Sequence, residues 1–196
     1  MPLLMLKDLP RYECLLEASR KFPDLDPSAM EVYLQLLRTG DELYRLQNDY
    51  LSGHALSQGR FFVLMLLLDK GTECPMAGST PGRQSPAELA DQANVTRATM
   101  TGLIDTLEKD GLVKREPDPS DRRMMSVQLT PKAHAFMATM LPGYFRRIAG
   151  VMSGLTEGER RTFVHLLAKI QEGLAAATPS GPAVSTGAAT PAAASP

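Results

Sequence analysis

Residues 85–129 read SPAELADQANVTRATMTGLIDTLEKDGLVKREPDPSDRRMMSVQL, and their order of start and stop signals leaves few folds open. Ser85 stands as an N-cap, Pro86 at the first helical position and Glu88 three residues after the cap, so a helix starts here. Leu89 and Ala90 give it an apolar face and Asn94 breaks it. Thr96 caps a second helix running to about Asp110, where Gly111 supplies a left-handed stop. Leu112–Arg115 reads as a strand, and Met125–Leu129 alternates apolar and polar as a second. Between them, 116–123 is a turn-rich tip ending in two arginines. Helix, turn, helix and a β-hairpin with a basic tip make a winged helix-turn-helix.

The second helix carries the chemistry. Met100, Leu103, Ile104 and Leu107 fall at i, i+3, i+4 and i+7 and form one inward stripe. Thr96, Arg97, Ala98, Thr99 and Thr101 lie opposite, near the N-terminus. Short polar side chains at a helix start let the backbone approach a major groove and read base edges. That face fits an ordinary solvated surface equally well; the wing shifts the balance, because an arginine on a loop tip is drawn into a minor groove. The residues expected on DNA are Thr96, Arg97, Thr99 and Thr101 on the helix and Lys114, Arg122 and Arg123 on the wing. Asp121 is expected to brace Arg115 or Arg122.

The segment GLIDTLEKDGLVKREPDPSDRRMMSVQLTPKA resembles the signature of the MarR family of bacterial transcription regulators. The matching features are Leu-x-x-Asp-Gly-Leu-Val at 107–113, the Asp-Pro-x-Asp-Arg-Arg wing at 118–123 and Leu-Thr-Pro-Lys-Ala at 129–133. The likeness spans roughly 27–175 in element order and is sharp over 85–135. It implies a symmetric homodimer, held by N- and C-terminal helices, on a pseudo-palindromic double-stranded operator. It also implies repression relieved by a small molecule, often an aromatic acid.

Charge adds little to this. The chain of 196 residues has a formal net charge of −1. Residues 95–135 hold seven Lys/Arg against six Asp/Glu, a weak electrostatic footprint for a DNA-binding lobe. The DNA reading therefore rests on the motif. No apolar run reaches the roughly 18–20 residues that span a bilayer, and the N-terminus lacks a signal peptide's apolar core. A cytoplasmic protein with no membrane role is expected. Cys14 and Cys74 are too few for a disulfide framework or a zinc site. Some members of the resembled family sense peroxides through an N-terminal cysteine near tyrosines, and Cys14 sits close to Tyr12.

The remaining segments give a mainly α (α+β) protein, a winged helix-turn-helix lobe plus a helical dimerisation region. The expected division is an extra N-terminal helix in 1–25, a dimerisation helix and linker in 26–56, the DNA-binding lobe in 57–130, C-terminal dimerisation helices in 131–177 and a disordered tail in 178–196. Residues 8–22 form a short helix with Leu15, Leu16 and Phe22 inward. Members of the family with such an extension use a tryptophan in their urate response. This chain has no Trp, so dimer bracing or pocket covering is expected instead. Asp26-Pro27 starts a long helix to about Asp49 whose wide apolar stripe (Met30, Tyr33, Leu34, Leu37, Leu43, Tyr44, Leu46, Tyr50) calls for a two-fold partner. Ser57 caps a helix, 61–68, that is apolar nearly all round and expected to be buried centrally, with Lys70-Gly71 ending it. Residues 71–84 read as a flexible loop; whether a minimal strand pairs there with the wing stays open. Thr130-Pro131 starts a helix to about Ser153 that Pro142 should kink or break near Leu141. Thr156–Glu159 caps a last helix striped by Phe163, Leu166, Leu167, Ile170 and Leu174.

An effector site is expected where the long helix, the buried helix and the start of the Pro142 helix meet the winged lobe. Its lining would be Tyr44, Arg45, His54, Phe61, Met65 and Phe136, with Arg60 and Met100 at the margin. An aromatic carboxylate needs an apolar slot with a cationic or hydrogen-bonding anchor, and Arg45 and His54 are the anchors available. Met and Phe at this spacing equally suit a plain core. No enzyme is expected: His54, His134 and His165 lie near no Ser/Asp or Cys constellation, and no phosphate-cradling loop, metal-ligand cluster or cofactor motif occurs. The alternative to a small-molecule effector is a DNA-binding regulator controlled by cysteine oxidation or a partner protein.

Overall fold

The computed structural model describes residues 8–68, 83–117 and 124–177. The expectations for Lys70-Gly71, Cys74, Asp121, Arg122, Arg123, most of the 71–84 loop and the 178–196 tail lie outside those residues.

In chain order the elements are α1 (Tyr12–Lys21), α2 (Pro27–Ser52), α3 (Gln58–Leu67), α4 (Pro86–Gln92), α5 (Arg97–Lys109), β1 (Val113–Pro117), β2 (Met125–Leu129), α6 (Pro131–Val151) and α7 (Glu157–Ala177). Their boundaries follow local chemistry. Asp26 caps α2 by accepting from the Ser28 and Ala29 amides, and the Ser28 hydroxyl first, then the Ala29 amide, hold its carboxyl below the ordinary range. Ser85 and Glu88 form a reciprocal capping box at α4. Asn94 turns the chain out of α4 with φ +50, and Gly111 closes α5 with φ +70. Thr156 and Glu159 repeat the box at α7, where the Thr156 amide holds the Glu159 carboxyl low.

The chain divides into two compact units, Met1–Tyr144 and Phe145–Pro196. The core of the first gathers Leu51, Phe61, Leu64, Leu67, Leu89, Met100, Ile104, Leu107, Val113, Val127, Met137 and Met140, each essentially removed from solvent. Complete burial of one such side chain stabilises by about 2 kcal/mol. β1 and β2 pair antiparallel with Val113 opposite Leu129 and Pro117 opposite Met125. With a period of two, Val113, Val127 and Leu129 face the core, while Lys114 and Glu116 face outward. In the second unit none of the described residues is buried, and Phe163, Val164, Leu166, Ile170 and Leu174 of α7 are exposed.

Several expectations are corrected. In α1 Leu15 is buried, but Leu16 and Phe22 are exposed, because a ten-residue helix lying on α2 buries one narrow line. Phe62 is 48% exposed, since α3 is covered on one side and the 100° step from Phe61 turns its neighbour outward. Gln84 is not loop: its N–H donates to the Val127 carbonyl over 3.2 Å and its C=O accepts from Val127 over 2.8 Å. A one-residue bridge therefore joins Gln84 to the edge of the two-stranded sheet, short of a third strand. Its side-chain amide donates to Leu66 O, fastening α3 to the sheet. Pro142 does not break α6, which runs through it from Pro131 to Val151.

Candidate nucleic-acid interface and aromatic cluster

The N-terminus of α5 is built to leave a polar surface free. The Thr96 hydroxyl accepts from the Thr99 amide over 3.1 Å and shares a 2.9 Å hydrogen bond with the Thr99 hydroxyl. Thr101 turns its hydroxyl back to the Arg97 carbonyl, 2.9 Å away. Thr96, Arg97, Ala98, Thr99 and Thr101 are all exposed, while Met100 and Ile104 behind them are fully buried. Among the described residues Arg97 pairs with no carboxylate, so its guanidinium is available to an anion. A Cβ at Gly102 would meet nothing within 4 Å, so the next turn is also open. A helix with this leading surface accepts a DNA groove: its backbone is approachable, its N–H groups and dipole favour phosphate, and its hydroxyls donate and accept.

The hairpin is locked to α5 by Arg115. Its guanidinium reaches Asp105 Oδ1 and Glu108 Oε2, each at 2.5 Å, and its amide donates to Glu108 Oε1 over 3.3 Å. Burial opposes the charge of Arg115, but the two carboxylates outweigh it and hold its pKa above the ordinary value. Arg115 therefore takes its partners from the reading helix. On the outer face of the sheet Glu116 gathers Lys114 Nζ at 2.5 Å, Arg83 Nη2 at 3.2 Å and the Gln128 amide. The Lys114 hydrogen bond is the largest cause holding the Glu116 carboxyl below its ordinary range. Lys114 thus enters the wing already paired. Arg83, which sequence reasoning passed over, joins it there; its signal was a lone Arg ahead of the α4 cap, too common to single out.

A second feature lies on α2, α3 and the first part of α6. The His54 ring is 4.8 Å from Tyr50 and 6.3 Å, edge-on, from Phe136. Phe61 is 4.9 Å from Tyr144, and Tyr144 is 6.1 Å from Tyr50. A polar thread runs beside these rings: Gln58 donates to Gln47 over 2.9 Å and Gln47 to the Tyr144 hydroxyl over 3.0 Å. Burial pushes the Tyr144 phenol above its ordinary pKa, so it stays neutral near pH 7. Of the residues expected to line an effector site, His54, Phe61 and Phe136 come together here, and Met65 packs on the same core. Tyr44 is exposed, and Arg45 turns to the buried Asp41, 2.5 Å away. Tyr50, Tyr144, Gln47 and Gln58 are the additions. Tyr50 belongs to the apolar stripe that the sequence assigns to a two-fold partner, and Tyr144 follows Pro142, where the sequence predicts a kink or break.

The MarR family profile matches residues 56–125. Over 169 residues the chain is 36% identical to the HTH-type transcriptional repressor YetL of Bacillus subtilis, covering 86% of this chain and 96% of that protein. Among solved structures it is similar to Bordetella bronchiseptica BpsR, whose DNA binding is regulated by 6-hydroxynicotinic acid. That match has 27% identity and a TM-score of 0.55 over 70% of this chain and 91% of BpsR. Wild-type apo MarR from E. coli superposes with a TM-score of 0.54 at 26% identity, over 69% of this chain and 93% of that one.

Proposed function

Since the chain belongs to the MarR family of transcription regulators, we propose that it is a homodimeric repressor that binds a pseudo-palindromic operator and leaves it when a small aromatic acid binds. The coarser part needs no proposal: it is a DNA-binding transcription regulator and not an enzyme. The observation that carries the finer reading is the capped, exposed Thr/Arg surface of α5 backed by a fully buried stripe. Such a helix is rigid behind and open in front. Thr96, Arg97, Thr99 and Thr101 read the major groove, and Lys114, Arg122 and Arg123 of the wing take phosphate or the minor groove.

Dimerisation rests on α7. A 21-residue helix with no buried residue and five exposed large apolar side chains gains stability by covering them with a second copy. Within the first unit, α2 separately exposes Val32, Tyr33, Leu43 and Tyr44.

The effector site is the cluster of His54, Phe61 and Phe136 with Tyr50 and Tyr144 added and Met65 on the same core, while Tyr44 and Arg45 stay outside it. Rings stack an aromatic ligand, and His54 with the Gln47–Gln58 thread supplies hydrogen bonds to a carboxylate or hydroxyl. BpsR supports the chemical class, being regulated by a hydroxylated pyridine carboxylic acid. The protein would act in the cytoplasm, where its DNA is.

A gel shift on the DNA flanking its own gene, with and without 6-hydroxynicotinic acid, salicylate and benzoate, tests this. A sequence-specific shift released by one compound is the expected result. A shift that none of them releases, but an oxidant does, would replace the ligand with control through Cys14, which is exposed on α1.

A further inference from the structure

Two charges in the winged lobe sit at the wrong ends of their helices. Arg60 is in the first turn of α3, where the helix dipole is positive, and Asp110 is the C-cap of α5, where it is negative. Local preference opposes both placements. What offsets them is their contact with each other: Arg60 Nη1 donates to Asp110 Oδ2 over 2.8 Å. The Arg60 side chain is 19% exposed and that of Asp110 44%, so solvent screens the pair from the Asp110 side only. A conflict between local rules and the global fold, maintained by one specific contact, marks a functional position more often than a passive one.

Arg60 has a second hand. Nη2 donates to the Ala55 carbonyl over 2.7 Å. Ala55 lies in the α2–α3 turn with φ +54, a left-handed conformation that disfavours a residue with a Cβ. It follows His54 directly, so the strained turn and the aromatic cluster share one short segment. On the other side, the same end of α5 is held by α6: Lys132 Nζ donates to the Asp110 carbonyl over 2.7 Å and the Thr130 hydroxyl to the Gly111 carbonyl over 2.8 Å. Phe136 lies one turn further along α6 and meets His54 edge-on. The end of the reading helix is therefore tied through one route to His54 and through another to Phe136, the two rings a ligand would separate.

We infer that Arg60 is a positioning residue that couples the His54–Phe136 cluster to the orientation of α5. The inference rests on the reading of the chain as an effector-released DNA-binding regulator. A ligand wedged between His54 and Phe136 shifts the 53–56 turn, and the Ala55 carbonyl takes the Arg60 guanidinium with it. Asp110 then loses or follows its partner, and α5 rotates relative to the operator. By reciprocity, DNA that selects one orientation of α5 must alter the stability of the 53–56 turn.

That reciprocity gives a test needing no known effector. Amide hydrogen exchange is followed in the full chain, free and bound to DNA from its own upstream region, for the wild type, Arg60→Gln, Arg60→Lys and Asp110→Asn. The reporters are the His54, Ala55 and Leu56 amides, which bond to Leu51, Ser52 and Leu51 carbonyls. In the wild type, DNA should slow exchange in 84–117 and change it at 53–56. In Arg60→Gln and Asp110→Asn, DNA should still bind within about tenfold and protect 84–117, while the change at 53–56 disappears. Arg60→Lys keeps the charge but cannot hold both partners in one fork, so it should behave as Arg60→Gln. A change at 53–56 that persists in all three variants, or is absent from the wild type, overturns the coupling. No protection of 84–117 in the wild type would instead sink the DNA-binding role of the winged lobe, and the coupling with it. Lowered thermal stability without loss of the remote change would leave Arg60 a structural residue only and so would also refute it.

Discussion

The Tyr50 hydroxyl donates to the Met140 carbonyl over 2.7 Å, and it does so against the bare backbone of Gly143. A Cβ at Gly143 would collide with that hydroxyl and lie 3.3 Å from the ring carbon bearing it. Pro142 stands between these two residues and brings no N–H to the helix. The proline removes the helical donor of the Ala138 carbonyl, four residues back, whereas the Tyr50 hydroxyl bonds Met140; that bond ties α2 to α6, which runs on through Pro142 as one helix.

Gly143→Ala should therefore destabilise the protein although alanine is the better helix former. Overpacking against Tyr50 costs about 1–3 kcal/mol, against a gain of about 1 kcal/mol in helix propensity. The urea midpoint should fall with an unchanged slope. A midpoint that rises would show that Tyr50 moves aside freely.

The wing should respond to acid through Glu116. Its carboxyl is held below its ordinary range, first by the Lys114 hydrogen bond, so the folded pKa lies below the unfolded one. Its contribution is present above the unfolded value and is lost as pH falls through the folded value. NMR shifts of the Lys114 and Gln128 side chains should move together in that acid window, and Glu116→Gln should abolish the coupled movement at neutral pH and below. Independent titration of the two would show that Glu116 does not bind them as one group.

On DNA, Arg97→Ala and Thr99→Ala should change base preference as well as affinity, by roughly 1–3 kcal/mol at the contacted base pair. A uniform loss over all sequences would place both on phosphate. Arg123→Ala in the wing should weaken operator binding strongly at fixed salt while leaving the dimer intact. Unchanged affinity would remove the wing tip from recognition.

Ile170→Asp or Leu174→Asp in α7 should shift sedimentation from dimer to monomer without loss of helical signal from the winged lobe. A dimer that survives both would move the interface off α7.

Much of this was legible in the chain. The capping box at Ser85, the Thr96 cap, the Gly111 stop and the strand at 125–129 each appear in the structure where the sequence places them, although Met125 is exposed and Ser126 buried, against the apolar-in alternation. Each acts within a few residues, so neighbours in the chain are enough to specify it. Asp121, expected to brace Arg115 or Arg122, lies outside the described residues; among those, Arg115 pairs with Asp105 and Glu108 of α5, a partnership the sequence did not single out. Arg45 was expected at the effector site and pairs with Asp41 one turn away. A long flexible cation can reach many carboxylates, and nothing in its sequence neighbourhood ranks them.

The helices, their ends and the wing follow from backbone hydrogen bonding and apolar periodicity, which a linear chain carries on its face. Which side of α3 is buried, the pairing of Gln84 with Val127, the bond of Tyr50 to Met140 and the meeting of His54 with Phe136 were settled by contacts between segments 40 to 90 residues apart. Such contacts exist only once the elements have docked, because their energy depends on a distance that the order of residues does not encode.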